Sequence, residues 1–114
     1  MWHGTSLAAA LDIDQNGFQP STGGALGRGV YVTRDKAKAM NYTKPGGGNN
    51  GAILELKVRV GSTKVIKGQG DPNRTTWQQR GYDSAYAPAG AVGKREEDCV
   101  KDPRNITIVR VHRL

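Results

Sequence analysis

Residues 52–60 read AILELKVRV. Leu54, Leu56, Val58 and Val60 fall on one side of an extended chain, and Glu55, Lys57 and Arg59 fall on the other. A period of two, apolar against charged, is the pattern of a strand with one face buried and one face wet. It is the clearest periodic signal in the chain, and it makes a sheet the backbone of the fold. Glycine-rich segments bound it on both sides. KPGGGNNG, residues 44–51, reads as a turn leading in, and Gly61-Ser62 ends the strand.

Toward the C-terminus, Thr63–Ile66 predicts a short strand, Gly68–Asn73 a turn cluster and Thr75–Gln79 a helical turn. Tyr82–Tyr86 reads as a strand and Ala87–Lys94 as a loop. Glu97–Lys101 and Ile106–Val111 are the last two strands, hinged at Asp102-Pro103. Toward the N-terminus, Arg34–Tyr42 predicts a helix capped by Thr33, with Asp35 well placed in its first turn. Val30–Val32 before it is a short apolar strand, and Phe18–Gly29 is a loop. Ser6–Asp14 predicts a first helix, capped by Thr5 or Ser6, with Leu7 and Leu11 on one face. Asn16-Gly17 stops it, Gly17 being free to take a positive φ. Trp2-His3-Gly4-Thr5 opens the chain as an extended piece. There is no internal repeat. Short helices on a mainly antiparallel core make this an α+β fold.

The length of 114 residues predicts one domain over the whole chain, 1–114, and excludes two catalytic domains or a long solenoid. Sixteen glycines are about twice the usual share of ~7%. The single cysteine, Cys99, has no internal disulfide partner, which argues against a stapled secreted scaffold. No apolar run approaches the ~20 residues that span a bilayer, and the N-terminus is a poor signal peptide. The expected setting is the cytoplasm, with the nucleus open, and no membrane.

Seventeen basic against ten acidic residues give +7. That charge points to solubility or to an anionic partner: nucleic acid, a phosphate-bearing cofactor or an acidic protein. The basic residues, among them Arg28, Lys36, Lys38, Lys57, Arg59, Lys94, Arg95 and Arg110, form no run, and the aromatics form no RNA-binding pattern. Nucleic acid is therefore open but not signalled. Two histidines and one cysteine cannot assemble a zinc site by the usual spacing, so no metal is expected. His112 reads as a surface residue. No Gly-x-Ser-x-Gly or Gly-Lys-Ser/Thr loop is present.

Three pieces carry chemistry: Trp2-His3-Gly4-Thr5, Gly27-Arg28-Gly29-Val30-Tyr31-Val32, and Glu97 at a strand start. Each alone is commonplace; order and spacing make them a pattern. Asn41-Tyr42 follows Tyr31 by eleven residues, and Glu97 is followed by Asp102 and Asn105 at steps of five and eight. Choosing Glu96 as the key acid would break both steps. Over nearly the whole length, the chain resembles ADP-ribosyltransferase domains of the PARP type. Within them it looks closest to the fish interferon-inducible grass carp reovirus-induced gene products. Leu26–Val32, Thr76-Trp77, Gly81-Tyr82-Asp83 and Glu96–Val100 carry that finer likeness.

The resemblance implies a compact fold of two small sheets and short helices. It also implies an NAD-dependent transferase that releases nicotinamide and modifies a protein by mono-ADP-ribosylation, in an antiviral or stress setting. By the same resemblance, Gly4 grips the nicotinamide amide through its main chain and Thr5 braces it. Tyr31 and Tyr42 sandwich the ring, His3 binds the adenosine ribose, and Glu97 binds the nicotinamide ribose and stabilises the developing cation. Glu97, His3 and Tyr31 form the catalytic set. One position departs: where the family carries a serine three residues before the second tyrosine, this chain has Ala39. The alternatives are a weak or inactive NAD- or ADP-ribose-binding module, or a partner-binding module, on the same fold, and a basic nucleic-acid-binding domain. The oligomeric state is open.

Overall fold

A computed structural model describes residues 1–43 and 50–114. The chain runs β1 (Trp2–Ser6), α1 (Leu7–Asn16), β2 (Val30–Val32), α2 (Lys36–Asn41), β3 (Gly51–Val58), β4 (Thr63–Val65), β5 (Ser84–Ala87), β6 (Glu97–Val100) and β7 (Ile106–Arg113). Short 3-10 turns occupy Trp77–Gln79 and Pro103–Asn105. The fold is α+β, with two small sheets. One is antiparallel with order β1-β3-β7; the other has order β2-β6-β5-β4 and is antiparallel except for the pair β4–β5. A parallel pair needs a crossover, and residues 66–83 supply it. The turn expected over 44–51 lies outside the described residues except for its last two positions.

Local chemistry sets the helix ends. Ser6 Oγ accepts from the Ala9 amide at 3.2 Å and starts α1. Gly17 ends it at φ 81°, its amide reaching Ile13 O at 2.7 Å. The second helix is shorter than its sequence suggests, and its cap is Asp35 rather than Thr33. Asp35 Oδ1 accepts from the amides of Ala37 at 2.9 Å and Lys38 at 3.3 Å. Thr33 is drawn away because its hydroxyl donates to Glu96 Oε1.

The alternation in residues 52–60 holds only in part. The strand ends at Val58, and Ile53 is buried as well as Leu54. Ile53 pairs with Gly4 of β1, over which α2 packs, while α1 packs against β3 and β7. Both faces of the first half of β3 are thus covered, and only beyond it do Leu56 inside and Lys57 outside alternate. His112, expected on the surface without a partner, is half-buried and meets Glu55 across β3 and β7, Nε2 to Oε1 at 2.8 Å. That contact holds Glu55 below its ordinary pKa.

Two apolar clusters result. One gathers Ala10, Phe18, Val30, Leu54, Leu56 and Val100 between α1 and the sheets. The other gathers Leu26, Ile66, Trp77, Ala85, Ala87 and Cys99 on the opposite side of β6. Cys99 is fully buried, and burial pushes its thiol up to about 12. Trp77, expected only as part of a helical turn, is 0% exposed and is the largest side chain of this cluster. Its Nε1 donates to Leu26 O at 2.8 Å, fastening the 18–29 loop to the second core. Trp77→Ala removes that bond and leaves a large void, so it should cost roughly 3–5 kcal/mol of stability. Denaturant unfolding of the two proteins measures it.

Candidate active site

The two sheets meet at one point. Trp2 and Thr33 exchange backbone hydrogen bonds, N to O, of 2.8 and 2.9 Å. Beside that join lies a cleft of about 290 Å³. His3 and Gly4 of β1, Tyr31 of β2, Lys38 and Ala39 of α2, Tyr42, and Glu97 of β6 all line it, with Gly23 and Gly24 of the loop opposite. Residues drawn from five separated parts of the sequence converge on one hollow.

Gly4 has a structural reason that precedes any ligand. A Cβ built there would stand 1.7 Å from Ala39 O, inside the backbone of α2. The close approach of α2 to β1 therefore requires glycine. Thr5 is not among the residues lining the cleft. It pairs with Ala52, two residues beyond His3 and roughly 6–7 Å farther along the strand, where the chain turns into α1.

His3 Nδ1 lies 2.9 Å from Tyr31 O. Burial lowers the pKa of His3, outweighing the hydrogen bond that raises it. The ring is then neutral at pH 7, Nδ1 carries the proton donated to Tyr31 O, and Nε2 is left as an acceptor. Its edge meets Phe18 at a centroid distance of 5.1 Å, which fixes its orientation. The Tyr31 hydroxyl is fully engaged: it donates to Gly27 O at 2.6 Å and accepts from the Leu26 amide at 2.9 Å. Burial raises its pKa, so it stays neutral. What Tyr31 offers the cleft is its ring, held by the loop. Tyr42, just past α2, is 52% exposed and stands at the mouth.

Three consecutive acids, Glu96, Glu97 and Asp98, have three different fates. Glu96 Oε1 accepts from the Thr33 hydroxyl and from the amides of Arg34 at 2.9 Å and Asp35 at 3.3 Å. Burial pushes Glu96 up, but hydrogen bonds from Asp98, Thr33 and these amides hold it below its ordinary pKa. Asp98 is buried, with Oδ1 at 3.2 Å from an Arg34 nitrogen. Burial and then the neighbouring Glu96 carboxylate push Asp98 up to about 8, and Arg34 offsets this only in part. Glu96 Oε2 and Asp98 Oδ2 are both buried with no other partner. One proton held between them satisfies both.

Glu97 alone faces the cleft. Its Oε1 pairs with Lys38 Nζ, which also donates to Glu96 O at 2.6 Å. The Lys38 side chain is only 9% exposed. Lys38 was missed as a site residue from sequence. Its one signal was position: it stands four residues before Tyr42, on the face of α2 that must look inward. Ala39, also lining the cleft, is fully buried and presents a methyl group. A second hollow, of about 390 Å³, shares Lys38, Tyr42 and Glu97 and adds Asn41, Lys94 and Arg95. Among the described residues, no group of three or more His, Cys, Asp or Glu side chains could hold a metal ion.

The sequence profile of the poly(ADP-ribose) polymerase catalytic domain matches residues 1–110. Two similar curated proteins are each named protein mono-ADP-ribosyltransferase PARP3. The Gallus gallus protein is 31% identical over 106 residues, covering 90% of this chain and 19% of that protein. The Mus musculus protein is 29% identical over 107 residues, with the same coverage of 90% and 19%. The chain spans about a fifth of the length of these relatives.

The Glu96–Asp98 pair makes stability depend on pH. The Asp98 carboxyl titrates near 3.8 unfolded and at about 8 folded. Between those values the folded chain holds a proton that the unfolded chain has lost. Stability from this group is therefore complete below the lower value and falls as pH rises through the window. Asp98→Asn keeps the hydrogen bonds to Glu96 and Arg34 and cannot lose a proton. At pH 9 the variant should be more stable than the parent by on the order of 1–3 kcal/mol, a gap that closes below the lower pKa. Unfolding midpoints across the pH series read this difference.

Proposed function

The chain belongs to the poly(ADP-ribose) polymerase catalytic-domain family, and we propose that it cleaves the nicotinamide–ribose bond of NAD and passes ADP-ribose to an acceptor. The observation that carries this reading is the convergence of His3, Tyr31 and Glu97 on one cleft, with Glu97 held by a buried lysine.

The chemistry asked of these residues follows from their states. The C1′–N bond breaks with its electron pair leaving on nicotinamide, and positive charge develops on the ribose. The acceptor's nucleophilic atom forms the new bond to C1′, and its proton passes to solvent. Glu97 supplies a fixed carboxylate that accepts from the ribose 2′-hydroxyl and favours the developing cation. Lys38 keeps that carboxylate in one orientation, so little reorganisation is needed as the charge appears. His3, neutral and open at Nε2, accepts from a hydroxyl of the adenosine ribose. The Gly4 main chain, which α2 admits because no side chain intervenes, holds the nicotinamide amide. Tyr31 and Tyr42 offer ring faces to the nicotinamide, each contact contributing roughly 0.5–1.5 kcal/mol.

Mono-transfer onto a protein side chain is the form that suits a small domain, and it is the activity named for the avian and murine relatives. The second hollow, sharing Glu97 and Lys38 with the first, is where we place the acceptor. An antiviral or stress setting in the cytoplasm rests on the finer sequence likeness alone. A second reading, of a binding module with little turnover, is favoured by Ala39, whose methyl group replaces a hydroxyl that the family uses on the nicotinamide amide.

Incubation with labelled NAD separates the two readings. The parent chain should transfer label, and Glu97→Gln should slow transfer by ~10²–10³. Label transfer that is absent from the parent, or undiminished in the variant, removes the catalytic reading. Ala39→Ser restores one hydrogen bond, worth roughly 0.5–1.5 kcal/mol. It should tighten NAD binding by up to about tenfold, measured by calorimetry.

A further inference from the structure

The wall of the cleft opposite α2 is mostly main chain. Gly23, Gly24 and Ala25 line it with backbone and one methyl group, in a loop between α1 and β2 that contains neither helix nor strand. The loop closes where Ser21 and Gly29 exchange backbone hydrogen bonds of 2.8 and 3.2 Å. Irregular backbone has no ladder, so its carbonyls must each find a donor elsewhere.

Five successive carbonyl oxygens, 24–28, all have one. Gly24 O accepts from the Gly27 amide at 3.0 Å, and Gly27 O from the Tyr31 hydroxyl at 2.6 Å. The other three are served from the crossover 66–83. Arg74 Nη1 donates to Ala25 O at 2.7 Å. Trp77 Nε1 donates to Leu26 O at 2.8 Å, and Gln78 Nε2 to Leu26 O at 3.3 Å and Arg28 O at 2.7 Å. The parallel pair β4–β5 requires of this crossover only that it return the chain. It lies closer to the loop than that: a Cβ on Gly27 would stand 3.0 Å from Thr75 O and 3.1 Å from Gln78 Nε2. Trp77 has a packing role in the second core, but Arg74 and Gln78 are only half-buried. Among the described residues, the hydrogen bonds of these two side chains go to loop carbonyls alone, and Arg74 is in no ion pair.

We propose that Arg74 and Gln78 are positioning residues for the cleft: from the crossover they clamp the carbonyls of Ala25, Leu26 and Arg28 and hold the Gly23–Ala25 wall in the shape that receives NAD. The ligand in this statement rests on the transferase reading; the clamp itself does not. A loop free to take several shapes shows the receptive one for only a fraction of the time, and apparent affinity falls by that fraction. A wall fixed before the ligand arrives avoids that loss. Neither residue lines the cleft, so neither touches the reacting atoms. Loosening the wall therefore weakens substrate and transition state alike, which moves KM and leaves kcat in place.

Two variants test it. Gln78→Glu keeps the shape of the side chain and replaces its N–H donor with an acceptor. Arg74→Met keeps much of the stem and removes the donor. In the labelled-NAD assay each should raise KM about three- to tenfold, the worth of one or two hydrogen bonds, with kcat within about twofold of the parent. Amide exchange over residues 22–29 should quicken in both variants, while exchange in β3 stays as in the parent. A lower kcat at unchanged KM, as a smaller folded fraction would give, overturns the proposal. So does unchanged exchange over 22–29, or exchange that quickens equally in β3. A parent that neither binds nor turns over NAD strikes the transferase reading instead, and exchange in the two variants then decides for or against the clamp.

Discussion

Helix α2 lies against β1 with no room for a side chain between them: the Ala39 carbonyl oxygen occupies the place of a Gly4 side chain. The working half of the molecule depends on that approach. It sets Lys38 over the start of β6, puts Tyr42 at the mouth of the cleft, and leaves the Gly4 main chain reachable from the cleft. It also buries Ile53 from above, which makes the first half of β3 apolar on both faces. The two small sheets share one backbone pair, Trp2 and Thr33, and an apolar cluster in which Val30, Val32 and Val100 meet Leu54 and Leu56. The buried helix-to-strand contact adds a third constraint, because interiors packed at this density do not slide by fractions of an ångström.

The second fastening is electrostatic and runs through β6. Strand alternation sends Glu97 to one side and Glu96 and Asp98 to the other. On their side, Glu96 takes three donors from the residues leading into α2, and Asp98 takes Arg34. A slip of one residue would exchange these environments, bringing Glu96 to the cleft and Glu97 under the α2 entrance. Two flanking acids thus hold the register that presents the middle one. Burying them is costly, and it is tolerable here because a shared proton removes one charge and Arg34 stands against the other. Arg34 adds a cation–π contact to Tyr86 at 4.5 Å, so the cation that meets Asp98 is itself braced.

Much of this was legible in the sequence, and the exceptions have physical causes. Period-two patterning found β3, and glycine and capping chemistry found α1 and its end, because those signals are local. The Thr33 cap failed because a threonine can cap only if nothing better claims its hydroxyl, and Glu96, 63 residues away, does. Ile53 and His112 could not be placed from periodicity, since their burial depends on what α2 and β7 bring to them. The parallel pair β4–β5 leaves no periodic trace in three- and four-residue strands. At the site, ordered motifs named His3, Gly4, Tyr31, Tyr42 and Glu97, all of which line the cleft, and Thr5, which does not. Lys38 escaped because a lysine on an amphipathic helix ordinarily points to water. Only the packed position of α2 turns it inward.

The net charge of +7 looks different once the residues have places. A cofactor with two phosphates would account for it if cations lined the cleft, yet Lys38 is the one cation there among the described residues, and Glu97 neutralises it. Arg34, Arg95 and Arg104 are matched by Asp98, Asp35 and Asp102. The surplus therefore sits outside the cleft, in part at the exposed Arg110 and Arg113 of β7. Recognition inside the cleft must come from shape, ring faces and hydrogen bonds whose donors and acceptors are fixed in advance. An internally matched cleft suits a reaction that creates positive charge on the ribose. Extra cations nearby would bind a pyrophosphate more tightly, but they would oppose the charge that the proposed transfer develops.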